Sequence, residues 1–177
     1  MSFHNAAVEL GATLLTALVA ATFGFVAPAT QAAPLNVTLL GTGSPVPSNV
    51  RFSQSSLVEA GDQKLLFDLG RGVTIRLAQL GIPFRDVTAS FITHFHSDHL
   101  VGLPDLWLTG WLPTGFASRT KPMTIYGPKG TVAMTKNLTA AFSEDIRIRR
   151  SMKGCPPRAS RSTPTISKLA SATSATA

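Results

Sequence analysis

Three of the four histidines fall within six residues, at His94, His96 and His99, and Asp98 stands between the last two. Imidazole nitrogens and carboxylate oxygens are the donors that suit Zn²⁺, and manganese or iron can occupy the same donor set. In an extended segment, side chains two residues apart project to the same side, so His94 and His96 can grip one ion together. Asp98 and His99 come after the chain has begun to turn, which aims them at a neighbouring position. Two adjacent ions are therefore geometrically natural. An ion that keeps one position for water brings that water's pKa to around 7, so hydroxide is available at neutral pH. Asp98 can ligate the second ion and accept the proton during attack, while the ions hold the developing oxyanion. The chemistry is hydrolysis. The competing reading is a histidine-rich loop whose side chains only satisfy one another's hydrogen bonds, and the flanking Thr93 and Gly102 weigh against it.

The elements around the cluster must deliver it to one place. Asn36-Val37-Thr38-Leu39-Leu40 reads as a strand that ends at Gly41-Thr42-Gly43-Ser44-Pro45, where Gly and Pro turn the chain. Val46 occupies the place of the third glycine of a dinucleotide fingerprint, so that segment is a turn and not a phosphate cradle. Ser55 to Ala60 and Lys64 to Asp68 read as a hairpin across Gly61-Asp62-Gln63. Val73 to Leu80 has helical spacing, stopped by Gly81-Ile82-Pro83. Ala89 to Thr93 reads as the strand that carries the histidines, and Leu100 to Thr109 as the helix leaving them. A further strand at Met123 to Tyr126 and a helix from Thr131 to Phe142 extend the alternation to about Arg150. Interleaved strands and helices define an α/β class.

Charge is distributed unevenly. Residues 1 to 145 carry nine Lys or Arg against nine Asp or Glu, whereas residues 146 to 177 carry seven against none. The body is neutral and the net charge of +7 sits in the tail. A basic tail is weak evidence for polyanion binding, and nucleic acid is not expected as a partner. From Ser151 to Ala177 the residues are mostly Ser, Thr, Ala, Pro and basic types, too poor in large apolar side chains to offset chain entropy, and this reads as a disordered tail. Cys155 is the single cysteine, which excludes an intramolecular disulfide and a cysteine-rich zinc site. At the other end, Ala12 to Ala27 is an uncharged run followed by small residues around Ala29 to Ala33. Residues 1 to 32 therefore read as an export signal that meets the membrane only in transit, and the expected location is periplasmic or secreted, or cytoplasmic if the start is mis-assigned.

The His-x-His-x-Asp-His cluster followed by Gly102 resembles the metallo-β-lactamase superfamily. Leu39-Leu40-Gly41-Thr42-Gly43-Ser44-Pro45, Leu66-Phe67-Asp68-Leu69-Gly70-Arg71-Gly72 and Ile125-Tyr126-Gly127-Pro128-Lys129-Gly130 are similar to its ribonuclease Z and arylsulfatase-like branch. The resemblance covers Leu35 to about Arg150. It implies an αββα sandwich with two zinc ions in the complete site: His94 and His96 on the first, Asp98 and His99 on the second, and Asp98 handling the proton. By the same likeness Asp68 buttresses the metal loop, a role in keeping with the need to orient ligands. Asp68 also reads as a cap on the Val73 helix, and the two roles do not exclude each other.

The family completes its site with a further histidine on each ion and a bridging aspartate. After His99 the chain has no histidine, and after Asp105 its acidic residues are Glu144 and Asp145. The expectation is a sandwich truncated to its first half over residues 33 to 150, with a frameshift near residue 150 as the origin of the basic tail. The leading functional expectation is an exported dizinc hydrolase of a small ester-type substrate: a sulfate ester, a phosphodiester or a lactone. The alternatives are a ribonuclease Z-like tRNA 3′-processing endonuclease and a non-catalytic metal-binding fragment.

Overall fold

The computed structural model describes residues 34–151 and the short strand Ile166–Ser167. The expected export signal lies outside the described residues, as does nearly all of the expected tail. Among the described residues, no helix is long and apolar enough to cross a membrane.

Strand β1 (Leu35–Gly41) pairs antiparallel with β2 (Ser55–Ala60), which pairs antiparallel with β3 (Gln63–Phe67). The chain then passes through helix α1 (Val73–Gln79) to β4 (Ala89–Phe91), and through α2 (Leu103–Gly110) to β5 (Met123–Tyr126). Both β4 and β5 join the sheet in parallel, as strand-helix-strand crossovers require. Helices α3 (Thr131–Ala141) and α4 (Ser143–Ser151) follow. The two-residue strand β6 (Ile166–Ser167) pairs in parallel with β5, so the segment read as lacking structure contributes one sheet pairing. The spatial order is β1-β2-β3-β4-β5-β6.

Alternation places Leu57, Leu66, Met123 and Ile125 on the face that meets the helices, where each is at most 1% exposed. Val73 and Leu77 of α1 and Leu103, Leu106 and Trp107 of α2 pack there. Each such side chain contributes about 1.5–3 kcal/mol by leaving water. Helix α1 ends as its sequence predicts: Gly81, at φ 69°, donates to the Ala78 carbonyl and Ile82 to that of Leu77, the paired bonds of a Schellman stop. Thr74 of α1 donates to the Asp105 carboxylate of α2, whose other oxygen accepts from Thr109. Behind α2, the buried Arg119 guanidinium donates to the carbonyls of Phe84 and Val87. Burial holds that guanidinium below its ordinary value, and Asp86 partly opposes the effect.

Two expected elements are shorter than the sequence suggests. The fourth strand stops at Phe91, and the helix after the cluster begins at Leu103. Between them, residues 92–96 are irregular and Ser97–His99 forms a single 3-10 turn. Metal-donor side chains therefore sit on a connection held by its neighbours and not on a regular element. Helix α4 is an addition: its Glu144–Arg147 and Asp145–Arg149 pairs at helical spacing are the local signal for it.

Candidate metal centre

Strands β3, β4 and β5 end side by side, and the cluster lies just beyond those carboxyl ends, where open α/β sheets place their ligands. Asp68 is the first residue past β3. Its backbone is left-handed at φ 61°, a region that aspartate enters more readily than most residues. Two bonds fix it there: its N–H donates to the Phe91 carbonyl at 2.7 Å, and its own carbonyl accepts from the Ser55 hydroxyl at 2.9 Å. The turn points the carboxylate at the segment following β4. There Oδ1 accepts from the Thr93 backbone N–H at 2.9 Å, the Thr93 hydroxyl lies within 3.0 Å of both oxygens, and Oδ2 accepts from His99 Nδ1 at 2.7 Å.

These contacts rule out the capping role for Asp68. The residue before α1 is Gly72, and no side chain caps that helix. The Asp68 carboxylate bonds to Thr93 and His99 and makes no hydrogen bond to the start of α1, so Asp68 braces the loop and does not cap the helix.

The donors come in two pairs. His94 Nε2 and His96 Nδ1 are 3.0 Å apart, so the two-residue spacing brings these rings together as expected. His99 Nε2 is 3.6 Å from Asp98 Oδ2, at a separate position. The pairs are adjacent, with 4.1 Å between the His94 and His99 ring centroids. Asp98 is 6% exposed, whereas His96 is exposed. Because His99 donates Nδ1–H to Asp68, its Nε2 presents a lone pair toward Asp98, the arrangement that prepares an imidazole to bind a cation.

Zinc takes four or five ligands. Among the described residues, no set of three or more His, Cys, Asp or Glu side chains is arranged to hold one ion. The residues present fit a divalent cation in donor chemistry and stand as two side-chain pairs, His94 with His96 and Asp98 with His99.

Backbone packing keeps the loop in place. Leu69 N–H donates to the His99 carbonyl and Gly102 N–H to the Leu69 carbonyl, both at 2.8 Å. The strands meet so closely that a Cβ on Gly70 would lie 2.5 Å from the Asp98 carbonyl oxygen, and one on Gly102 would lie 2.4 Å from that of Gly70. Two residues of this arrangement go beyond the sequence reading: Thr93, taken there as context, is a hydrogen-bonding link, and Gly70 is a contact point. Its place directly before the first histidine is the only local signal for Thr93, and its partner is 25 residues away.

Comparison with known proteins bears on what this centre belongs to. Residues 35–143 match the family described as Anti-Pycsar protein Apyc1. Ribonuclease Z of Mycolicibacterium gilvum is 45% identical over 115 residues, which are 65% of this chain and 40% of that protein. Ribonuclease Z of Mycobacterium bovis BCG is 44% identical over the same share of this chain and 41% of its own. Among solved structures, the short form of human tRNase Z superposes with a TM-score of 0.53 at 32% identity, covering 62% of this chain and 40% of that one. The metallo-β-lactamase fold protein YhfI from Bacillus subtilis gives 0.51 at 23% identity, covering 59% and 41%, a likeness of fold alone. The chain thus spans about 40% of the length of the curated relatives it matches.

One expectation is corrected by these relatives. Nucleic acid was not expected as a partner, because the body is neutral, the basic residues lie in the tail and the N-terminus reads as an export signal. Relatives at 45% and 44% identity are named ribonuclease Z, and the similarity runs through the neutral body. Net charge was the wrong observable, since a phosphodiester can be engaged at a metal centre without a surplus of lysine and arginine around it. The arylsulfatase-like side of the resemblance finds no counterpart in these similarities. With its sheet, its ligand loop and its relatives taken together, the chain belongs to the Anti-Pycsar protein Apyc1 family, on the ribonuclease Z-like branch of the metallo-β-lactamase superfamily.

Proposed function

We propose that this chain carries the ligand-bearing half of a divalent-metal phosphodiesterase of ribonuclease Z type, with RNA as the substrate class. The observation that supports it most is the pairing of donors, His94 with His96 and Asp98 with His99, braced by one carboxylate within a region 45% identical to a ribonuclease Z. His94 and His96 would hold one zinc ion, Asp98 and His99 the second. When bound, such ions supply a hydroxide at neutral pH and neutralise charge on a phosphate oxygen.

The chain's own residues do the rest. Asp98 is nearly buried yet faces the donor cluster, so its carboxylate is placed to receive the proton of the attacking nucleophile. Asp68 and the Leu69–Gly102 contacts hold the donors in register, which lowers the ordering cost of the site. Beside Thr93 opens a cleft of about 360 Å³ whose lining includes Phe91, Tyr126, Pro128 and Lys129. An aromatic ring at the end of a stack, Tyr126, and a lysine are a combination that accepts a nucleotide.

The test is cleavage of a 3′-extended precursor tRNA and of an aryl sulfate by the purified chain supplied with Zn²⁺. Metal-dependent RNA cleavage that is slow, because two donors at each position leave an ion short of its four ligands, and that disappears in His94→Ala, without sulfatase activity, is the expected result. Sulfate-ester hydrolysis, or no cleavage of RNA at any metal concentration, would overturn the proposal.

A further inference from the structure

The Thr93 hydroxyl is 3.0 and 2.9 Å from the two oxygens of Asp68 and 3.0 Å from Nδ1 of His94. A carboxylate only accepts hydrogen bonds, so the single hydroxyl proton of Thr93 is committed to Asp68. Toward His94 that oxygen can therefore only accept, and the ring nitrogen facing it must carry the proton. We infer that Thr93 is a positioning residue that selects the Nδ1–H tautomer of His94, relaying the Asp68 carboxylate to a second histidine that Asp68 does not touch.

The consequence lies on the other side of the ring. With Nδ1 protonated, His94 Nε2 keeps its lone pair and, in the metal-free protein, accepts from His96 Nδ1 at 3.0 Å. His99 reaches the same state by direct contact with Asp68 at 2.7 Å. One carboxylate thus sets the tautomers of two imidazoles in different donor pairs, one directly and one through a hydroxyl. A histidine side chain free in water favours the opposite, Nε2–H tautomer, which would block the donor position. The relay therefore prepares His94 Nε2 before any cation arrives.

This inference concerns the tautomer of His94 and does not depend on the substrate proposed above. The first readout is the long-range ¹H–¹⁵N spectrum of histidine rings in the metal-free protein, which distinguishes the tautomers directly. Wild type is expected to show His94 and His99 both as Nδ1–H. In Thr93→Val, His94 moves toward Nε2–H while His99, held by Asp68 itself, does not change, and that constancy shows the fold intact. Thr93→Ser restores the wild-type His94 signal. The second readout is Zn²⁺ binding by competition with a chromophoric chelator: Thr93→Val weakens it by about 10- to 100-fold, and Thr93→Ser recovers it. An Nε2–H signal for His94 in wild type, or an unchanged His94 in Thr93→Val, overturns the inference, and the wild-type spectrum decides it even if the valine variant does not fold. Loss of zinc binding in Thr93→Val without a tautomer change would also overturn it, by assigning Thr93 some other role.

Discussion

Asp68 carries more of this site than any donor does. It spends one oxygen on the Thr93 amide, shares both with the Thr93 hydroxyl, and gives Oδ2 to His99. Replacing it with asparagine keeps the volume and removes the charge. It also puts an NH₂ group against a neighbourhood of donors, namely the Thr93 N–H, its hydroxyl and the His99 ring N–H. One of those bonds must break, and His99 loses the partner that sets its tautomer. Asp68→Asn is therefore expected to weaken Zn²⁺ binding by about 10- to 100-fold, read by calorimetry, with secondary structure retained by circular dichroism. Binding within twofold of wild type would show that the loop holds its donors without this brace.

The connection between β4 and α2 has little regular structure of its own, so its shape is borrowed from the segment after β3. Gly70 and Gly102 are the contact points: the atoms facing their Cβ positions are backbone carbonyl oxygens, which cannot swing aside as the end of a flexible side chain would. At Gly102 a methyl group would also meet Val73 Cγ1 at 2.7 Å. Gly102→Ala should force the two segments apart at a cost of about 1–3 kcal/mol or more. A lowered thermal midpoint accompanied by weakened metal binding is the expected outcome. An unchanged midpoint would mean that the segments separate without strain. The same alanine placed at Gly81, where nothing lies within 4 Å, meets only the positive φ of a helix stop and serves as the control.

One face of the sheet packs on helices, and among the described residues no helix covers the other. On β1, Leu35, Val37 and Leu39 are 60–66% exposed, and Leu39 lies in register, across Ser56, with Phe67, Phe91 and Tyr126, which form a stack with ring centroids 4.8 and 5.0 Å apart. A continuous apolar face beside an edge strand invites association between molecules. Leu39→Lys places a charge in the middle of that face without touching the core or the metal loop. Light scattering at rising concentration should show less association for this variant than for wild type. Equal scattering would clear the face of responsibility.

Much of the donor set was legible because it is local. Two-residue alternation is enough to pair His94 with His96, and the turn that sends Asp98 and His99 elsewhere follows within three residues. The β2–β3 hairpin and the glycine stop of α1 were legible for the same reason, being settled by neighbours in the chain. The orientation of those donors was not, because it is settled at a distance: Thr93 and His99 find Asp68 across 25 and 31 residues, and only the parallel pairing of β3 with β4 brings these strand ends together. Composition did not foretell the relationship to ribonuclease Z proteins either, since charge counts the whole surface while a metal centre acts through a few groups in one place. From its sequence alone this protein had a metal-binding vocabulary and an α/β order. Tertiary structure decided which ring nitrogen of His99 meets Asp68 and how Thr93 stands between Asp68 and His94, because those hydrogen bonds join segments remote in sequence.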